Sequence, residues 1–236
     1  MPERINVLQL PLDLVDLSAT LEILREWLKD PDARRTVITL NPEICVQAES
    51  DPNLRKAILG VDLSTPDGVG MVWALKRLTG KTLNGRSTGV DIVQELMKLE
   101  GEKLRVFFFG AKPGVAELAA ENCAKKYGIH VVGTRDGYFN IEQRAGIAEE
   151  IREARADLLL TALGAPRQEL FNFEFRPAKI SISVGGTLDV LAGVVERAPD
   201  WAIKYNIEWV WRIIKLGRWD RAKRLVQFAT RVLTSK

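Results

Sequence analysis

Between residues 104 and 184, short apolar runs alternate with segments of helical periodicity, and this constrains the fold more than any other feature of the chain. Leu104–Phe109, Ile129–Gly133, Asp157–Leu163 and Ile180–Val184 read as strands. The segments between them, Pro113–Tyr127, about Ile141 to Ala154, and Arg167–Phe175, read as helices, the first opened by proline. Strands joined by helical crossovers run parallel, and strands this short and apolar are covered on both faces. Upstream, Ser18–Lys29 is a helix and Thr36–Leu40 a strand. Asn41-Pro42-Glu43 opens another helix with Asn41 as its N-cap, and Gly60–Ser64 is a shorter strand.

The expected fold class is therefore α/β: a Rossmann-like, mostly parallel sheet with helices on both faces. It occupies residues 1–195, and a small helical appendage follows over 196–236. The appendage reads as two helices, Trp201–Leu216 and Trp219–Thr234, hinged at Gly217. Residues 201–236 hold nine Lys/Arg against Glu208 and Asp220, a local net charge of +7, so the first two hundred residues carry −4. Four of the six tryptophans also lie there. Basic residues interleaved with tryptophan suit an anionic, half-apolar surface such as a lipid head-group region, although a basic helix face is also what a solvated helix presents.

Other features exclude whole classes. No apolar run approaches the roughly 18–20 residues of a spanning helix, and the N-terminus lacks the apolar core of a signal peptide. Cys45 and Cys123 have no metal-ligand neighbours and fit a reducing, cytoplasmic setting. His130 is the single histidine, which removes His-based metal sites and ordinary Ser-His-Asp triads. No nucleic-acid partner is expected; a homo-oligomer stays open.

In parallel α/β sheets, ligands bind beyond the carboxyl ends of the strands. Six loops follow strands here, and most carry glycine beside a polar residue. In Gly110-Ala-Lys-Pro-Gly114, Gly110 and Lys112 suit the approach of a phosphate to a helix start, or form a plain turn; neither the Walker nor the dinucleotide spacing is met. Asp67 is either a general base or the cap of the next helix. Thr39 ends a strand, and Arg86 either pairs with a phosphate or is solvated. Tyr138 either stacks on a base or packs. Gln168 sits at a helix start, an ordinary surface position, with Gly164, Gly185 and Asp189 in the neighbouring loops. Asp30-Pro-Asp32 has the D-x-D form that often holds a cation in sugar-nucleotide enzymes, but it ends a helix before a strand and reads as a turn. Neither a metal nor a cofactor is expected.

Taken in order, these loops resemble the WecG/TagA/CpsF family of bacterial glycosyltransferases from about Thr36 to Arg218. Thr39-Leu-Asn-Pro-Glu43 is similar to its T-x-N-P-E segment and Thr65-Pro-Asp-Gly-Val-Gly70 to its T-P-D-G-x-G motif. Arg86 with Thr88-Gly-Val-Asp91, Gly164-Ala-Pro-Arg-Gln-Glu169, Gly185-Gly-Thr-Leu-Asp189 and Arg197-Ala-Pro-Asp-Trp201 continue the family order. Leu40 and Leu188 depart from its common residues, as does Asn206-Ile207.

The resemblance implies an inverting transfer of a sugar, N-acetylmannosamine in the family's usual case, from a UDP-sugar to polyprenyl-pyrophosphate-linked N-acetylglucosamine without a metal. It places a catalytic base at Asp67 beside Thr39, with Arg86 and Gln168 in the active-site pocket and Tyr138 and Asp189 at the uridine. Asn41, Gly110, Lys112, Gly164 and Gly185 complete the donor site. Arg212, Arg218, Arg221 and Arg224 are the candidates for the acceptor pyrophosphate and the membrane surface. The setting implied is the cytoplasmic face of the inner membrane. Two other readings stay open on the loops alone: a nucleotide-dependent α/β enzyme of another class, and a non-catalytic membrane-surface adaptor.

Overall fold

The protein is described by a computed structural model covering residues 2–83, 87–199, 201–202, 205, 207, 209–211, 215 and 219–235. The chain opens with an antiparallel hairpin, β1 (Arg4–Val7) and β2 (Leu10–Asp13), followed by α1 (Leu17–Lys29). Then come β3 (Arg35–Leu40), α2 (Pro42–Ser50), α3 (Pro52–Leu59), β4 (Leu63–Pro66), α4 (Val69–Thr79) and α5 (Gly89–Glu100). The second half runs β5 (Arg105–Gly110), α6 (Val115–Tyr127), β6 (His130–Arg135), α7 (Arg144–Glu153), β7 (Leu158–Ala162), α8 (Arg167–Phe175), β8 (Ile180–Ser183) and α9 (Thr187–Leu191). The last element is α10 (Trp219–Thr234).

Strands β3 to β8 form one sheet in the order β4-β3-β8-β7-β5-β6, with every pairing parallel. Alternation along the strands explains why both faces are covered. Val106 and Phe108 of β5, with Leu158 and Leu160 of β7, enter a core shared with α1, α5 and α6. Phe107 and Phe109 point the other way, with Leu159, into a core closed by α7 and α8. Ile38 and Leu40 of β3 pack on that same second side beneath α2, α3 and α4. Apolar burial of this extent, at about 25 cal/mol per Å², is the main driving force for assembly.

Several element boundaries differ from the sequence expectation for local reasons. The strand expected from Gly60 begins at Leu63, because Gly60 terminates α3: its N–H donates to the carbonyls of Lys56 and Ala57 at 3.2 Å. Strand β6 runs on past Gly133, since a Cβ there would stand 2.3 Å from the Phe107 ring, so the glycine admits a neighbour and is no stop signal. Pro113 precedes α6, whose N-cap is Gly114. A 3₁₀ turn at Ile141–Gln143 leads into α7.

Helix α10 lies where the periodicity places it, and it packs on α2 and α4. Phe228 and Val232, both buried, enter the core of Ile44, Ala48, Met71 and Leu75. Half of the expected helix Trp201–Leu216 lies outside the described residues. Among the described residues no helix is long and apolar enough to cross a membrane.

Candidate active site

A cavity of about 1280 Å³ opens beyond the carboxyl ends of the strands, and the loops after all six strands of the parallel sheet contribute to it. The convergence expected from the sequence is therefore present.

From the β3 side, Thr39 and Asn41 reach the cavity. The Thr39 hydroxyl donates to the Ser183 carbonyl at 3.1 Å, tying β3 to β8 beneath the cavity floor. Asn41 caps α2 by accepting the Ile44 N–H at 3.0 Å. Asp67, the first residue after β4, also lines the cavity, and its N–H donates to the Leu40 carbonyl at 2.8 Å. The N-cap of α4 is Gly68 and no side chain caps that helix, so of the two sequence readings of Asp67 the capping one drops out. The start of α5 approaches from the same side. Thr88 caps it through the Asp91 N–H, and Gly89 and Val90 line the cavity with the free donors of a helix N-terminus.

On the β5 side the loop turns sharply. Gly110 has φ +129°, and a Cβ there would meet the Ala162 carbonyl oxygen at 2.3 Å, a position only glycine tolerates. Gly110 itself stands behind the wall; Ala111 and Lys112 form the lining. Lys112 faces Asp189, whose carboxyl is raised from its ordinary value by burial, an effect the lysine partly offsets. Tyr138 stands at the mouth, 69% exposed, which places it free to meet a ligand and not in the core. The Gly137 carbonyl beside it accepts from Arg167 at 3.0 Å, and the Arg167 guanidinium lies 4.9 Å from the centre of the Phe139 ring.

Gln168 departs from the surface position usual for a glutamine at a helix start: it is 3% exposed. Its Oε1 accepts the N–H groups of Gly164 (3.2 Å) and Gly185 (3.3 Å), joining the loops after β7 and β8. Its Nε2 donates to Glu169 at 2.7 Å. Burial pushes the Glu169 carboxyl up to about 7, and the hydrogen bond from Gln168 acts against that. A second buried set runs alongside: the Thr161 hydroxyl donates to Asn172 at 2.8 Å, and Asn172 Nδ2 donates to the Ser183 hydroxyl at 3.2 Å.

Helix α10 supplies one wall through Ala222, Leu225, Phe228 and Ala229, with Arg224 among the lining. Arg86, Arg212 and Arg218 lie outside the described residues, and Arg221 is placed only as a position on α10. Sequence reasoning did not single out Glu43, Arg167 or Thr187, all of which line the cavity. Glu43 and Arg167 stand within the same loops as chosen residues, and their loop position was the available signal. Asp30-Pro-Asp32 forms the expected turn, with the Asp32 N–H donating to Asp30 at 2.9 Å. Among the described residues no three His, Cys, Asp or Glu side chains gather as metal ligands.

Fold and cavity together define an open-sheet α/β protein with a cavity along the carboxyl edge of its parallel sheet, the usual ligand position in this class. The family model described as "Glycosyl transferase WecG/TagA/CpsF family" matches residues 5–236, and the chain belongs to that family. A relative from Bacillus spizizenii (strain W23) is 33% identical over 230 residues, covering 94% of this chain and 88% of the relative. Another from Bacillus subtilis (strain 168) is 34% identical over 224 residues, covering 92% and 86%. Both are described as N-acetylglucosaminyldiphosphoundecaprenol N-acetyl-beta-D-mannosaminyltransferase. Family membership makes the chain a glycosyltransferase, and the two other readings left open by the loops give way to it.

Proposed function

We propose that the protein transfers N-acetylmannosamine, with inversion, from a UDP-sugar to N-acetylglucosamine linked through pyrophosphate to a polyprenyl lipid, in the synthesis of a cell-surface polysaccharide. The observation that carries the reading is the position of Asp67. It is a carboxylate on the cavity wall one residue past β4, with Thr39 on the neighbouring strand and no helix-capping role of its own.

Inversion requires a single displacement. The acceptor hydroxyl attacks the anomeric carbon, Asp67 takes its proton, and the bond to the β-phosphate oxygen breaks as UDP leaves. A positioned carboxylate base contributes roughly 10²–10⁴-fold to such a step. The departing diphosphate gains charge, and in this reading no metal takes part. Lys112, Arg224 and the N–H groups at the start of α5 meet that charge, with Arg86, Arg212, Arg218 and Arg221 as further cations. Tyr138 and Asp189 hold the uridine, while Asn41, Gly164 and Gly185 shape the donor site around Gln168. The basic, Trp-bearing appendage, residues 196–236, brings the cavity to the cytoplasmic face of the membrane where the acceptor lipid lies.

The test is a panel of UDP-sugars offered with a short polyprenyl-pyrophosphate-N-acetylglucosamine in anionic vesicles, with EDTA present. The product's anomeric configuration is read by NMR. Turnover with UDP-N-acetylmannosamine and a β-linked product is the expected outcome; an α-linked product, or a strict need for added metal, overturns the mechanism.

A further inference from the structure

Glu169 is 3% exposed in the first turn of α8, and it is not part of the cavity wall. One of its oxygens accepts from Gln168 Nε2. The other, Oε2, is buried without a hydrogen-bond partner, and among the described residues no cation pairs with the carboxyl. A buried carboxyl left half-satisfied costs stability, and an apolar side chain of the same size would avoid that cost. The fold keeps the acid at a position adjoining the active cavity.

What the acid touches gives the reason. The Gln168 amide has a carbonyl end and an NH₂ end of nearly equal shape, and only one orientation satisfies its surroundings. The carbonyl end meets two backbone donors, the N–H groups of Gly164 and Gly185. The NH₂ end meets Glu169. Reversing the amide would set donors against donors at both glycines and oxygen against oxygen at Glu169. Of the two N–H groups on Nε2, one is spent on Glu169, and no described residue accepts the other. Gln168 lines the cavity, so that remaining donor is the one it can offer a ligand.

We infer that Glu169 is a positioning residue: by accepting one amide N–H, it locks the Gln168 side chain as a bridge between the loops after β7 and β8, with its second N–H reserved for the bound sugar. The inference rests on the reading of Gln168 as a residue that meets substrate. It adds the group that makes Gln168 a fixed donor. Burial pushes the carboxyl up to about 7, and it keeps an accepting oxygen for the amide whether or not it holds a proton.

The experiment is a double-mutant cycle on the full chain with Glu169→Leu and Gln168→Ala, scored by kcat/KM with the lipid acceptor and by thermal unfolding. Glu169→Leu is expected to lower kcat/KM about tenfold or more while the melting temperature holds or rises, a split that a merely structural residue does not produce. In the Gln168→Ala background the same change is expected to have less than about a twofold effect, since the residue it acts through is gone. The conservative variant Glu169→Gln keeps an acceptor oxygen and is expected to restore turnover to near the wild-type level; it also keeps the test decisive should the leucine variant fail to fold. Three results overturn the inference: additive losses in the cycle, a glutamine variant as impaired as the leucine variant, or unimpaired turnover by Glu169→Leu. Wild-type turnover by Gln168→Ala alone would instead remove the reading of Gln168 on which the inference stands.

Discussion

Arg224 on α10 lies 3.8 Å from Glu43 in the first turn of α2, so the appended helix and the loop after β3 share one wall of the cavity. Both side chains are partly exposed, and a pair at that distance contributes about 0–1 kcal/mol to stability. If the arginine serves chiefly to meet the diphosphate, Arg224→Ala lowers kcat/KM more than about tenfold with little change in melting temperature. Parallel melts and turnover assays check this; a loss of stability without loss of turnover would make Arg224 a clasp for α10 only.

The seat of α10 depends on Phe228 and Val232, which are buried against Ile44 and Met71. Truncating a buried phenylalanine costs about 3–5 kcal/mol. In Phe228→Ala that loss falls first on the docking of α10, because the rest of the core it enters is built by β3, α2, α3 and α4 and stays in place without it. Limited proteolysis should cut within α10 in the variant and spare it in the wild type, with the sheet domain intact in both. Global unfolding at the same temperature as cleavage would show that α10 is integral to the core.

The strand runs and the six loops were legible because short apolar segments leave one way to cover both sheet faces, and a parallel sheet presents its loops on one edge. Asn41 could be read as a cap from Asn-Pro-Glu alone, since that signal is local. The hairpin β1–β2 was not legible: its two-residue turn is Leu8-Gln9, both at positive φ, without the Asn or Gly that marks such turns. By its helix position alone Gln168 reads as a surface residue, since nothing adjacent to it explains its burial, and only the family resemblance puts it in the pocket. The groups that hold it, Gly164 and Gly185, belong to two loops that only the tertiary fold brings together.

Gly89 opens α5 beneath the cavity. A methyl group there would lie 3.3 Å from the Thr187 hydroxyl and 3.6 Å from the Thr39 methyl, tight but without backbone collision. Alanine in a helix is favoured over glycine by up to about 1 kcal/mol, which offsets the crowding, so Gly89→Ala should melt within a few degrees of the wild type. The added methyl intrudes between two threonines of the site. The expected kinetic result is a severalfold rise in KM for the donor, and unchanged KM would place the donor away from this helix.

The buried Glu169 carboxyl sets a pH dependence of stability. Its value in the folded protein is pushed up to about 7 from an ordinary 4.5, so the folded state holds this proton more tightly than the unfolded state does. Below pH 4.5 both states are protonated and the group contributes nothing. As pH rises from 4.5 to about 7 the unfolded chain ionises first, and stability falls; above 7 the loss is complete, at roughly 3 kcal/mol for a shift of this size. Glu169→Gln removes the titration. The difference in unfolding free energy between variant and wild type should therefore move in the variant's favour on going from pH 5 to pH 8, by up to that amount, in urea melts at the two pH values. A difference that is the same at both would mean that Glu169 ionises in the folded protein as it does in water.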